Sequence, residues 1–179
     1  MNLATPQRPA RIPVILDTDI GTDIDDTWAL AFLLRCPELD VRLITTATGD
    51  TIERARLVAR LLEIAGRTDI PIGIGLPLES APIYQRDWVA GYALQDYPGT
   101  VLTNGLQAIV DTIRQSPEPV TVIGIGPLPN LAALLMHAPD IVHKSRCIGM
   151  HGSIHRGYFG SAEIPAEYNV RLYPHSCRK

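Results

Sequence analysis

At 179 residues, 46% of them apolar and 20% charged, the chain fits one domain with enough apolar material for a real core. A net charge of −3 with no Lys/Arg run offers no footprint for nucleic acid or an anionic membrane, and no apolar stretch reaches spanning length. Met1 to Arg11 is polar, without the apolar centre of a signal peptide, and Cys36, Cys147 and Cys177 stand far apart with no CxxC, which reads as the reduced thiols of a cytoplasmic protein.

Apolar runs then alternate with helical patterns, the signature of stacked βα units. Strand one is expected over Ile12 to Leu16. A helix follows from near Asp25 and ends before Pro37, with Trp28, Leu30, Ala31, Phe32, Leu33 and Leu34 as its apolar positions. Strand two covers about Val41 to Thr46. Gly49-Asp50 opens a second helix, capped by Asp50 or Thr51, with the stripe Ile52, Ala55, Val58, Ala59, Leu62 and Ala65, and Gly66 closes it. Strand three is Ile70 to Ile74. The Pro-, Gly- and aromatic-rich stretch from Gly75 to Thr100 reads as a long loop or lid. A third helix spans Asn104 to Gln115, strand four Val120 to Ile125, a fourth helix ends near His137, and strand five lies near Cys147 to Met150. From His151 onward the pattern is loop. The sum is a Rossmann-like α/β domain over 1–179: an open, mostly parallel sheet with helices on both faces. Parallel strands need cover on both faces, and the last strand has no following helix. The chain therefore reads as cut short, or as borrowing cover from another subunit.

The chemistry concentrates just after strand one. Asp17, Asp19, Asp23, Asp25 and Asp26 crowd into ten residues. Such acids repel one another, and desolvation adds to the cost of keeping them ionised. A hard cation held by carboxylate oxygens relieves both, so this loop is a candidate metal site. Ligands of open α/β sheets bind beyond the carboxyl ends of the strands. Thr45 to Asp50 and Ile125 to Asn130 converge there, and Glu167-Tyr168-Asn169 can fold over the same edge. Acids beside an amide suit a polyol such as ribose.

Four motifs, Asp17-x-Asp19-x-Gly21 with Asp25-Asp26, Thr46-x-x-Gly49-Asp50, Gly126-Pro127-Leu128-x-Asn130 and Ala166-Glu167-Tyr168-Asn169, together resemble the inosine/uridine-preferring nucleoside hydrolases. The resemblance spans nearly the whole chain but only the N-terminal half to two-thirds of a typical family member. It implies calcium-dependent hydrolysis of ribonucleosides to ribose and free base. It gives Asp19 as a calcium ligand and as the base that deprotonates the attacking water. It gives Asp26 as the bidentate calcium ligand and the Ile125 carbonyl as another. Asp25 would hold ribose hydroxyls, Asp50 stands where the family usually has a sugar-contacting Asn, and Glu167 and Asn169 would grip the 5′ side. Asp17 looks like a residue behind the others that orients them. Family members are commonly dimers or tetramers, so self-association is open.

The departures matter. The acidic loop is two residues longer than the commonest form, leaving Asp23 as either solvated or an extra ligand. Pro129 replaces a usual Thr, and the family's C-terminal part, with a further calcium-binding acid and often a histidine acid, has no counterpart. Asp19, Asp26 and Ile125 would supply about four of the six to eight oxygens calcium prefers. A truncated member that binds calcium or nucleoside with poor turnover is thus the first alternative. A haloacid-dehalogenase-like phosphatase, with Asp17 as nucleophile, is the second. Among bystanders, Asn130 is expected to stabilise its turn or cap a helix, and Asp50 to cap, to bind, or both. His151 and His155 are expected to be exposed. Tyr84, Trp88, Tyr92 and Tyr97 are expected to pack the long loop rather than stack on a base.

Overall fold

The computed structural model describes residues 11–78 and 81–178, so the reading of the first ten positions lies outside them. Six strands form one sheet: β1 (Ile12–Thr18), β2 (Leu39–Thr46), β3 (Ile72–Ile74), β4 (Val101–Leu102), β5 (Val120–Gly124) and β6 (Ser145–Gly149). Their order is β4-β3-β2-β1-β5-β6 and every pairing is parallel. The α/β class and the open parallel sheet expected from the sequence are therefore observed. One strand was missed. The two-residue β4 carries too little pattern to separate from the preceding loop, so the predicted fifth strand is the sixth.

The helices are α1 (Asp25–Leu33), α2 (Thr51–Ala65), α3 (Gly105–Gln115), α4 (Pro129–His137) and α5 (Tyr168–Leu172). Alternation along β1 sorts the core. Val14 and Leu16 face α1 and α2, packing with Leu30, Leu57, Val58 and Leu62. Ile15 faces α3 and α4, packing with Ile109, Ile113 and Leu134. The helix ends follow their sequence signals. Asp50 accepts from Glu53 N at 3.0 Å, Asn104 accepts from Gln107 N at 3.1 Å, and Gly66 takes the left-handed conformation that closes α2.

Several expectations are corrected. Trp28 and Phe32 are 69% and 73% exposed, because six near-consecutive apolar residues cannot share one face of a 3.6-residue helix; Leu30 and Leu33 take the core side. In α2, Ile52 and Ala65 point outward while the fully buried Arg54 lies within the stripe. The stretch after His151 is not all loop, since α5 forms there under a Glu167 cap. Of the long-loop aromatics, Tyr97 is in the core, Tyr92 packs against it beneath Arg60, and Tyr84 and Trp88 are exposed. On β6, Arg146 to Gly149 are exposed. No helix among the described residues is long and apolar enough to cross a membrane.

Asn130 does more than steady its own turn. Fully buried in the first turn of α4, its amide nitrogen donates to Asp17 Oδ1 (2.8 Å) and to the Thr46 carbonyl (3.1 Å), and its oxygen accepts from Leu76 N (2.9 Å). It thereby ties the ends of β1, β2 and β3 together. Asn130→Ala removes three hydrogen bonds, leaving Asp17 Oδ1 with Thr45 alone and the Thr46 carbonyl and Leu76 N–H without the amide, and should lower unfolding free energy by about 2–3 kcal/mol, read as a reduced midpoint in urea with an unchanged slope.

Candidate functional site

The carboxyl ends of β1 and β5 open onto one pocket. Its walls include Asp19, Thr22, Asp23, Asp25, Asp26 and Ile125, and the side facing α5 adds Met150, Tyr158, Glu167, Tyr168 and Asn169. Six of the seven residues singled out as metal or substrate ligands line it: Asp19, Asp25, Asp26, Ile125, Glu167 and Asn169. The seventh, Asp50, is exposed, serves as the cap of α2 and is not part of this wall.

Asp19 and Asp26 are each only 6% exposed. Thr22 donates its hydroxyl to Asp19 Oδ2 at 3.2 Å, and Thr18 donates to Asp26 Oδ2. Burial pushes both acids up. Asp26 reaches about 7, with the Asp19 charge adding to burial; for Asp19 the Arg54 charge works against burial. Neither carboxylate belongs to a salt bridge among the described residues, which all lie elsewhere. Asp23 is exposed on the rim and shares a hydrogen bond with Asp25, which with burial raises it to about 6. Asp25, at the first position of α1, accepts from Asp26 N at 3.0 Å.

Asp17 sits behind this wall. It is 1% exposed, its Oδ1 accepts from Thr45 and Asn130, and its Oδ2 has no protein partner among the described residues. Burial raises it to about 6. A nucleophile must reach its substrate, so this enclosed carboxyl removes the phosphatase alternative.

Opposite the acids, Asn169 is 5% exposed and its amide nitrogen donates to the carbonyls of Ile125 (3.0 Å) and Met150 (3.1 Å). Both Glu167 oxygens accept backbone N–H groups at the start of α5, from Asn169 (3.0 Å) and Val170 (3.1 Å). Tyr158, Tyr168, Thr22 and Met150 were not singled out from sequence; only Tyr168 fell within a quoted motif. His151 is half-buried, hydrogen-bonded to the Gly126 carbonyl at 3.0 Å, and stands outside the acidic pocket, while His155 is exposed.

Among the described residues no three His, Cys, Asp or Glu side chains form a ready-made metal cage. The donor set nevertheless suits a hard cation: two desolvated carboxylates without a salt-bridge partner and a carbonyl, all oxygen. Backbone geometry favours it too. A Cβ at Gly126 would lie 2.5 Å from Asp19 Oδ1 and 2.8 Å from its amide nitrogen, so only glycine lets the Asp19 carboxylate lie against the turn after β5.

The model of the family described as inosine-uridine preferring nucleoside hydrolase matches residues 14–179. A non-specific ribonucleoside hydrolase of Klebsiella pneumoniae is 35% identical, covering 94% of this chain and 57% of its own length. One from Salmonella paratyphi B is 37% identical, over 92% and 56%. The chain thus spans somewhat over half the length of the curated relatives it matches. Among solved structures, a plant nucleoside hydrolase is 30% identical with a TM-score of 0.72, over 93% of this chain and 55% of that one. A nucleoside hydrolase from Bacillus anthracis, at 19% identity and a TM-score of 0.74 over 93% and 60%, shares the fold.

Two predictions follow from the buried acids. The folded pKa values of Asp26 and Asp17, about 7 and about 6, lie above their ordinary range, so the folded chain holds these protons more tightly than the unfolded one. That stability is complete below pH ~4 and is lost as pH rises through 6 to 7, on the order of a few kcal/mol. Protein stripped of metal with a chelator should therefore melt at lower temperature at pH 8 than at pH 5; a flat profile would contradict this. Gly126→Ala should displace Asp19 and, if the pocket takes a hard cation, weaken its binding at least about tenfold, measured by titration calorimetry with calcium as the probe.

Proposed function

We propose that this chain, which belongs to the inosine-uridine preferring nucleoside hydrolase family, carries the site that cleaves the N-glycosidic bond of ribonucleosides, releasing ribose and free base with the help of calcium. The observation that carries the reading is the convergence of Asp19, Asp25, Asp26, Ile125, Glu167 and Asn169 on one pocket from three separate stretches of sequence.

The residues divide the work. Asp19 and Asp26 present desolvated carboxylates, and the Ile125 carbonyl keeps a lone pair beyond the one used by Asn169. A calcium ion held by these three groups would supply positive charge that acidifies water at the site. Asp19, at the pocket wall, takes the proton as the water oxygen bonds to the anomeric carbon. The carbon–nitrogen bond breaks with its electron pair going to the base, which takes a proton from solvent water, and the proton held by Asp19 returns to solvent. Charge builds up on the sugar as a cation, and the acids of the loop stabilise it. Asp25, on the exposed first position of α1, accepts from ribose hydroxyls. Glu167 and Asn169 present the opposite wall to the 5′ side of the sugar.

The test is release of reducing sugar from inosine and uridine, abolished by a chelator and restored by calcium. Asp19→Asn should lower kcat about 10²–10⁴-fold with a smaller change in KM, whereas Asp25→Ala should act mainly on KM. Calcium and ribose binding without sugar release would replace this reading with that of a binding-only member. Absence of both would overturn it.

A further inference from the structure

Arg54 is the largest fully buried side chain, at 0% exposure, and nothing so far gives it a task. It lies in α2 at a position of the apolar stripe, where a leucine would fill the space without the cost of burying a charge. Its contacts are selective. Nε donates to the Thr48 carbonyl at 2.9 Å, and Nη1 donates to the Ile20 carbonyl at 2.8 Å and to the Asp19 carbonyl. Nη2 has no protein partner among the described residues. The guanidinium bonds to backbone and not to the carboxylates, although Asp19, Asp26 and Asp50 all lie within its field. The three carbonyls come from two loops, the acidic one after β1 and the one after β2. Thr48 itself holds a left-handed conformation (φ 64°) that a threonine rarely adopts, so the second loop is kept in a strained shape with its carbonyl on the guanidinium.

The geometry points to Arg54 as a positioning residue: it fixes the backbone at Asp19 and Ile20 against the Thr48 turn and thereby sets where the Asp19 carboxylate faces its cation. This rests on the metal reading proposed above. The fork geometry is what matters. Lysine keeps the charge but its ammonium cannot span three carbonyls in a planar array. Methionine removes the charge as well. The two effects on a cation oppose each other, since losing a buried positive charge favours cation binding while losing the fixed backbone weakens it.

The experiment compares wild type, Arg54→Lys and Arg54→Met by calcium calorimetry and by terbium luminescence, whose decay in light and heavy water counts coordinated waters. Cooperative thermal unfolding of each protein is the control. Both variants should bind calcium at least about tenfold more weakly, with extra coordinated water on terbium. Amide exchange in the metal-free protein should rise over 19–26 and 47–50 and not across the sheet. Wild-type constants and hydration in Arg54→Lys, or tighter calcium binding by Arg54→Met, would overturn the positioning role alone. Failure of both variants to fold would make Arg54 a purely structural residue and overturn it too. Wild-type protein that takes up neither ion would remove the metal reading, and this inference with it.

Discussion

Everything at the site depends on carboxylates held out of water at the carboxyl end of β1. That strand is central, flanked by β2 and β5 and covered on both faces, so whatever follows it emerges between loops and not into solvent. Alternation sends Asp17 and Thr18 to opposite faces. Asp17 continues the face of Ile15, towards α4, where Asn130 meets it. Thr18 continues the face of Leu16, towards α1, and donates to Asp26. Asp19 comes after the strand and is the first of the acids at the pocket. The end of the strand, and not its two-residue period, parts Asp17 from Asp19: the first is still inside β1 and the second lies just past it.

The way these acids are satisfied is as informative as their number. Their hydrogen-bond donors are neutral: Thr18, Thr22, Thr45 and Asn130. A neutral donor lowers the cost of burial without cancelling the charge. Had lysine or arginine paired with Asp19 and Asp26, the pocket would be neutral and a cation would gain little by entering. The buried Arg54 guanidinium supports that logic, since it spends its bonds on carbonyls and leaves both carboxylates free on their pocket side.

Much of this was legible in the sequence because it follows short periods. The β1, β2 and β5 runs, the Asp50 and Asn104 caps and the Gly66 stop all depend on neighbours a few residues away. What was not legible depends on the third dimension. β4 pairs over only two residues. Trp28 and Phe32 carry the right chemistry for a core on the wrong face of α1. Arg54 looks like one more surface charge on α2 until the loops it grips are folded beside it. Glu167 and Asn169 were read as substrate contacts, and both line the pocket, but sequence gave no sign that Glu167 would first cap α5.

That cap joins the two walls of the pocket. Glu167 starts α5, and α5 carries Asn169, whose amide nitrogen holds the carbonyls of both Ile125 and Met150. The Ile125 carbonyl belongs to the proposed cation side, and Glu167 and Asn169 belong to the proposed sugar side. They form one hydrogen-bonded unit in which the orientation of the carbonyl depends on the amide that also faces the sugar. A ligand that draws the Ile125 oxygen towards the acids acts on Asn169, and a sugar that engages Asn169 acts on that oxygen. Coupling between two such sites is reciprocal in free energy, so on the proposed reading Asn169 would link the cation side of the pocket to the sugar side.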